Sequence, residues 1–462
     1  MAYLRRTKSI GIYFFLVSNG ILFLLFFTCF NWFMIHMRID WKQLMPAINA
    51  KHFSRPILVI ESDDWGWNSG DAKSVGESYR EFGYNVPPYA EQNALETPDE
   101  VRSMVDILVE HKDSRGKSAV LTANMIMANI DFEAVRQNNL TEPVLIPLDS
   151  DSPRNPVSKK LISEYKNGVK IGVFWPQLHG LCHINRDVWL KGLRENEPFA
   201  AKAFLLNSPP LTYAGNDLAR YSSVYLDFSV SPSVSEKYEN QIKDVKEAVN
   251  IFQRMFKFLP KSTIAPFYVW DDNSEEAFYS SGIRYIQGAN VQQYARDSEG
   301  NLLQRSHDLG QLNDKGLYYL TRNITFEPQK SNESLVASTE WKIKGAFLTR
   351  RPATIITHRL NYVGVNAEKY RKQLDQILGF VENDFPSVLY MSSDELGSVI
   401  EGGDSSLIVN KHSVKNYFFV VEDILVRLPG VWYPILLACN IFVLSILIYR
   451  RLRLRAKIKG RN

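Results

Sequence analysis

Two patterns of apolar and polar positions divide the chain. Residues 11–34 and 431–449 are nearly uninterrupted apolar runs, each long enough, at about 20 residues, to cross a hydrocarbon core as a helix. Between them, short apolar runs alternate with amphipathic stretches, as strands buried on both faces of a parallel sheet alternate with covering helices. Residues 57–60 form the first such strand, and it leads into Ser62, Asp63 and Asp64. Thr97-Pro98-Asp99-Glu100 reads as a cap, a first-turn proline and two acids that start a helix through Val101, Val105 and Leu108. Strands are expected at 118–127, 169–175, 224–230, 262–269, 284–287, 353–357 and 387–391. Helices are expected at 187–195, 235–258, 274–281 and 368–381, with another opening at Ser393. Residues 141–158 read as a loop, and the polar stretch 290–340 as an insertion or lid. This alternation predicts an α/β fold with parallel pairing and right-handed crossovers.

Charge places the apolar runs in a membrane. Arg5, Arg6 and Lys8 precede the first, and seven basic residues from Arg450 to Arg461 follow the second. The positive-inside bias puts both termini in the cytoplasm and the middle outside, on two anchors. The first run is too long for a signal-peptide core, so an uncleaved anchor is expected. The expected organisation is a cytoplasmic start and anchor over 1–35, a linker over 36–54, and a catalytic unit over 55–400. A juxtamembrane segment (401–428, amphipathic over 414–428), a second anchor (429–449) and a basic tail (450–462) follow. The formal charge is +4; without the ten basic residues of the two ends it is ten lower, −6 for residues 10–449. A nucleic-acid partner is therefore not expected, because the basic charge sits beside the anchors and forms no groove or patch. Cys29 and Cys439 fall in the apolar runs, which leaves Cys182 without a disulfide partner in the outer unit.

Candidate chemistry gathers at strand ends. Two adjacent carboxylates, Asp63 and Asp64, closing a buried strand are costly unless a cation or hydrogen bonds balance them. Their simpler reading is a pair of caps at the start of a loop. His179 and His183, four apart just past another strand, have the spacing at which two imidazoles share one metal on a helix or tight turn. By itself that pair is a weak signal. In a chain of eight histidines, with an Asp pair at an earlier strand end, it gains weight. Two neutral imidazoles and the Asp64 carboxylate make a zinc-type set with open positions.

With these motifs the sequence resembles the polysaccharide deacetylases, metal-dependent carbohydrate esterases built on a distorted (β/α) barrel. Ser62-Asp63-Asp64 matches their first motif, and His179 with His183 the histidines of the second. Ala265-Pro266-Phe267-Tyr268 matches part of the third, and Ile355-Ile356-Thr357-His358 a late strand ending in histidine. The resemblance covers roughly residues 55–400. Two departures stand out: Ile264 where the family has an Arg that orients the catalytic Asp, and Gly180 where it has Ser or Thr.

The resemblance implies Asp63 as general base, His358 as general acid, and Asp64, His179 and His183 as ligands of a divalent metal, zinc first. Trp65, Phe267, Tyr268 and Trp270 are the candidate sugar-binding aromatics, since flat faces at strand ends suit sugar rings; core filling is the commoner use of such residues. Trp67 and Trp175 are further candidates, and Cys182 is expected to be a small buried hydrophobe. The expected protein is a membrane-anchored deacetylase acting outside the cytoplasm on an acetylated polysaccharide, in reach of export or assembly partners. The alternative is a catalytically silent relative that binds carbohydrate or scaffolds export, which Ile264 favours. Glycoside hydrolysis needs two carboxyls about 5 to 10 Å apart across a cleft, and adjacent aspartates fit that poorly. Asn139, Asn323 and Asn332 match the glycosylation acceptor pattern.

Overall fold

The structure is a computed structural model that describes residues 51–211, 221, 225, 235–296, 302–330, 335–348 and 350–409. The chain divides into two compact units, Met1–Ala50 and Lys51–Asn462, and everything described belongs to the second. The two expected anchors, the amphipathic stretch 414–428, nearly all of the expected strand 224–230, and Asn332 lie outside the described residues. Among the described residues, no helix is long and apolar enough to cross a membrane.

The described chain is organised around a nine-stranded sheet in which every ladder is parallel. Its strands are β1 (Ile57–Trp65), β2 (Leu121–Met125), β3 (Phe174–Leu178), β4 (Ser262–Ile264), β5 (Tyr285–Gly288), β6 (Tyr318–Thr321), β7 (Ile324–Thr325), β8 (Ala353–His358) and β9 (Leu389–Tyr390). Hydrogen bonding runs β6-β5-β4-β3-β2-β1-β8-β7, with β9 also on β1. Strand order thus follows chain order from β1 to β6, with a crossover connection between each pair of parallel neighbours, helical in all but the β5–β6 link. No β6–β7 ladder closes a barrel. The two ends of the path are instead joined through the chain, with only Arg322 and Asn323 between them. The expected barrel is present as a parallel α/β sheet, not as a hydrogen-bonded ring.

Helices cover this sheet where polar caps start them. Pro98–Glu110 begins with a complete capping box between Thr97 and Glu100 and buries Val101, Met104, Val105 and Leu108 against the sheet's core. Several helices lie outside the expected set, among them Ala72–Glu81 and Pro198–Leu205, and two more redraw expected elements. Lys159–Ile171 takes up part of the apolar run assigned to the third strand; left-handed Gly172 ends it, and β3 starts only at Phe174. Val336–Leu348 falls at the end of the stretch expected as an insertion, which also supplies the hairpin Val291–Arg296/Leu302–Ser306 and strands β6 and β7.

A second apolar cluster, containing Trp67, Ala90, Cys182, Ile184 and Trp189, is distinct from the sheet's own core. Cys182 is a buried member of it, and burial pushes its thiol up to about 11. The Asn323 amide donates to the Pro352 carbonyl and its oxygen accepts from the Thr354 N–H, so this side chain ties sheet backbone together and is not free to carry a glycan.

Candidate metal centre

The site begins with an irregularity in β1. On the β2 side, Ser62 pairs with Ala123 and Trp65 with Met125, so Asp63 and Asp64 together face the single residue Asn124. This is a bulge, and Asp64 takes the left-handed backbone that such an insertion uses, with φ 72°. Regular pleating would send neighbouring side chains to opposite faces. The bulge removes that alternation, and both carboxylates serve one site.

His179 follows the last residue of β3, and its N–H donates to the Met125 carbonyl at 2.8 Å. The segment from His179 to His183 is a loop, not a helix, and it turns at Gly180, whose φ is +105°. A side chain there would be strained, and its Cβ would lie 3.1 Å from the Tyr225 hydroxyl. That is the physical reason for glycine at this position. The Nε2 atoms of His179 and His183 each lie 3.1 Å from Asp64 Oδ1. One ligand atom from each of the three residues falls within 4.8 Å of the others, and all three residues are buried.

This donor set fits a divalent ion. His179 Nδ1 lies 2.9 Å from the Ile264 carbonyl, an acceptor, so Nδ1 carries the proton and Nε2 presents its lone pair. Ile264 thus orients a ligand through its backbone. Three buried ligand atoms so close together are either hydrogen-bonded to one another or held by a shared cation, and both arrangements offset the cost of burying the Asp64 charge.

Asp63 is bound on the other side of the bulge. Arg322, at the junction of β6 and β7, donates from Nη1 to Asp63 Oδ2 and from Nη2 to Asp63 Oδ1, both at 2.7 Å. Asn124 Nδ2 adds a bond to Oδ1 at 2.7 Å. Burial pushes the Asp63 carboxyl up, and the Arg322 guanidinium outweighs it, holding the group far below the usual carboxylate range. Arg322 Nε also bonds Glu61. One guanidinium facing two buried carboxylates holds Asp63 ionised, while burial leaves Glu61 raised. Arg322 lies in the polar stretch expected as an insertion and matches no motif. Its one visible signal is its position between two β-type runs, Leu317 to Thr321 and Ile324 to Phe326.

His358 ends β8 in register with Asp63. Its Nδ1 bonds Glu327, a second site residue hidden in the same stretch. Burial pulls the imidazole down, and the Glu327 charge and hydrogen bond outweigh it, so His358 sits above the ordinary histidine value. Glu327 is raised by burial and lowered more strongly by His358. Each group thus favours the charged form of the other, and the second Glu327 oxygen accepts from Asn361 Nδ2 at 2.9 Å.

The candidate aromatics divide. Trp65 and Trp270, each 1% exposed, are core residues with no open face, which corrects the expectation that they bind sugar. Trp65 Nε1 donates to Ser62 Oγ, and Trp270 Nε1 to Glu275 Oε1. Phe267 and Tyr268 are half-buried, both with left-handed backbone, and the Tyr268 hydroxyl lies 3.4 Å from Arg322 Nη1. Trp175 stacks on Phe258. Trp67 lines a small cleft together with Asp64, His183, Asn93, Pro209 and Pro210.

Fold and site define a parallel α/β protein with a buried Asp-His-His centre between an ionised Asp and a Glu-supported His. No family model and no curated protein matches the sequence. Among solved structures the chain is similar to members of carbohydrate esterase family 4. One is the esterase domain of a multidomain xylanase from the hindgut metagenome of Trinervitermes trinervoides (10% identity, 78% of this chain and 95% of that one, TM-score 0.33). A second is the family 4 carbohydrate esterase of Streptomyces lividans (8% identity, 74% and 95%, TM-score 0.30). A third is a family 4 pseudoenzyme of Bacillus anthracis (8% identity, 74% and 66%, TM-score 0.30). The likeness is distant, and what this site can do is decided by its own geometry.

Proposed function

We propose that this chain is a metal-dependent hydrolase that removes acyl groups, acetyl first, from a polysaccharide. The observation that carries the reading is the convergence of Asp64, His179 and His183 on one point beside Asp63 and His358. A divalent ion held by the three ligands would supply Lewis acidity, polarising the acyl carbonyl and acidifying water. Asp63, ionised and fixed by Arg322 and Asn124, takes the proton from the attacking water as the new carbon–oxygen bond forms. His358, protonated through Glu327 and with Nε2 free of it, gives its proton to the departing nitrogen or oxygen as the acyl bond breaks. The products are the free carboxylic acid and the deacylated sugar. Tyr268, whose hydroxyl lies 3.4 Å from the Arg322 that holds Asp63, is the aromatic placed to meet a sugar ring.

Arg322 bears directly on the silent alternative. Ile264 favours it only if nothing orients Asp63, and Arg322 does so from elsewhere in the chain. The apolar runs 11–34 and 431–449, with their basic flanks, support a two-pass anchor that holds the catalytic unit outside the cytoplasm, near polymer as it is exported or assembled. The test is acetate release from a panel of acetylated glycans. Release that needs metal and is lost in Asp63→Asn supports the reading. Release that survives both chelator and that substitution would refute it.

A further inference from the structure

The loop after the Asp pair is held at its backbone by buried side chains from three distant places. Gly66 donates its N–H to Glu96 Oε1 at 2.8 Å, and its carbonyl accepts from Asn129 Nδ2 at 2.9 Å. The Trp67 carbonyl accepts from Arg359 Nη1 at 2.6 Å, and the Asn68 N–H donates to Asn129 Oδ1 at 2.8 Å. Arg359 is itself fully buried. Its Nη1 also donates to Glu96 Oε2 at 2.9 Å, and its Nη2 to Asn93 Oδ1 at 2.6 Å. None of these groups has a part in the chemistry proposed above.

Stability alone is a poor reason for this arrangement. A buried ion pair generally contributes no more than apolar packing of the same volume. Here the guanidinium also leaves its Nε–H without a partner, which is costly in a dry interior. What the clamp does accomplish is local. Asp64 lies two residues before Gly66, and the Trp67 N–H donates to the Asp64 carbonyl at 3.2 Å, so the turn that holds Asp64 at positive φ is the turn being clamped. Such a backbone persists only where its surroundings over-determine it. The two groups that Arg359 holds besides Glu96, Trp67 and Asn93, both line the cleft that Asp64 and His183 also line.

We propose that Arg359, seated on Glu96, is a positioning residue. By fixing the 66–68 loop it sets the direction of the metal ligand Asp64 and the spacing of the cleft beside it. The inference rests on the metal-centre reading. It is tested on the full chain by titrating zinc in competition with a chromophoric chelator, for wild type and for Arg359→Lys, Glu96→Gln and Asn93→Ala. Arg359→Lys keeps the charge but puts one nitrogen where the fork has two, so it cannot serve the acceptors of Nη1 and of Nη2 together. It is expected to weaken zinc binding on the order of 10–100-fold, the usual cost of losing an outer-shell support, with Asn93→Ala weaker than wild type by less. A purely structural role would lower the melting temperature of the metal-free chain and leave zinc affinity unchanged. Amide exchange at Gly66 and Asn68, read without metal, should quicken in Arg359→Lys. Should the Arg359 or Glu96 variants not fold, Asn93→Ala decides alone, since that half-buried residue loses only one bond of the clamp. Wild-type zinc affinity in every folded variant would overturn the proposal. Absence of zinc from the wild type itself would instead remove the centre on which it rests.

Discussion

Arg322 carries the largest single burden in the site, because its side chain is wholly buried and faces two carboxylates. Breaking a buried pair by removing one partner costs about 3–5 kcal/mol, since the remaining charge is stranded. Arg322→Ala should therefore lower the unfolding free energy by about that amount in urea titrations, and should also abolish acetate release. His358 depends in the same way on Glu327. A general acid must be protonated, so the alkaline limb of the activity profile follows the His358 value. Glu327→Gln removes the charge that holds the imidazole up, and that limb is expected to move to lower pH in kcat measurements, with an unchanged limb contradicting the pairing. The strand-end placement of Asp63, Asp64, His179, His183 and His358 could be read from sequence because each closes or follows an apolar run, whereas their proposed roles come from the resemblance. Arg322 and Glu327 could not be placed that way. Their partners are about 260 and 31 residues away, and they lie in a segment whose polar composition hides two short strands.

At the scale of elements, the site is made by departures from regularity. The bulge at Asp63 and Asp64, the positive φ of Gly180, and the break between β6 and β7 each put a polar group at a strand end. Gly180→Ala should keep the fold and weaken zinc binding, because the new side chain strains the backbone between two ligands; equal binding would show that the turn tolerates another shape. Sequence patterning anticipates the strands before Asp63 and His358, since unbroken β-branched runs leave little choice. It misplaces the third strand because Val169 and Ile171 are equally at home at the end of a helix, and only Gly172 marks the boundary. The cap, first-turn proline and two acids from Thr97 to Glu100 are the clearest helix signal in the chain and start a helix as read, with a capping box besides. Thr97→Ala should cost about 1 kcal/mol in thermal or urea unfolding.

Across the molecule, the stretch expected as a lid is part of the core. His307, after the 291–306 hairpin, stacks on Tyr319 at 3.6 Å between ring centres. Its Nε2 donates to Gln292 Oε1, whose own amide is committed to the Trp270 carbonyl, and its Nδ1 has no partner. Protonation would bury an unmatched N–H. Burial first, and then the Arg305 charge, push His307 down to about 4. An unfolded histidine takes its proton near 6.5, so this contribution to stability is complete above that value and declines as pH falls toward 4. The loss reaches about 3 kcal/mol. His307→Phe, which keeps the stack, should flatten that part of the stability profile, and an unaltered acid limb would count against the assignment.

The claim beneath the rest is that three side chains from two distant strand ends hold one divalent ion. Its most direct test is the metal content of the purified full chain by atomic emission, for wild type, His179→Ala and His183→Ala after dialysis against zinc. The account predicts about one zinc per wild-type chain and a marked loss in both variants, because removing one of three protein ligands from a site of this kind removes much of its affinity. No zinc in the wild type, or equal zinc in all three, would contradict it.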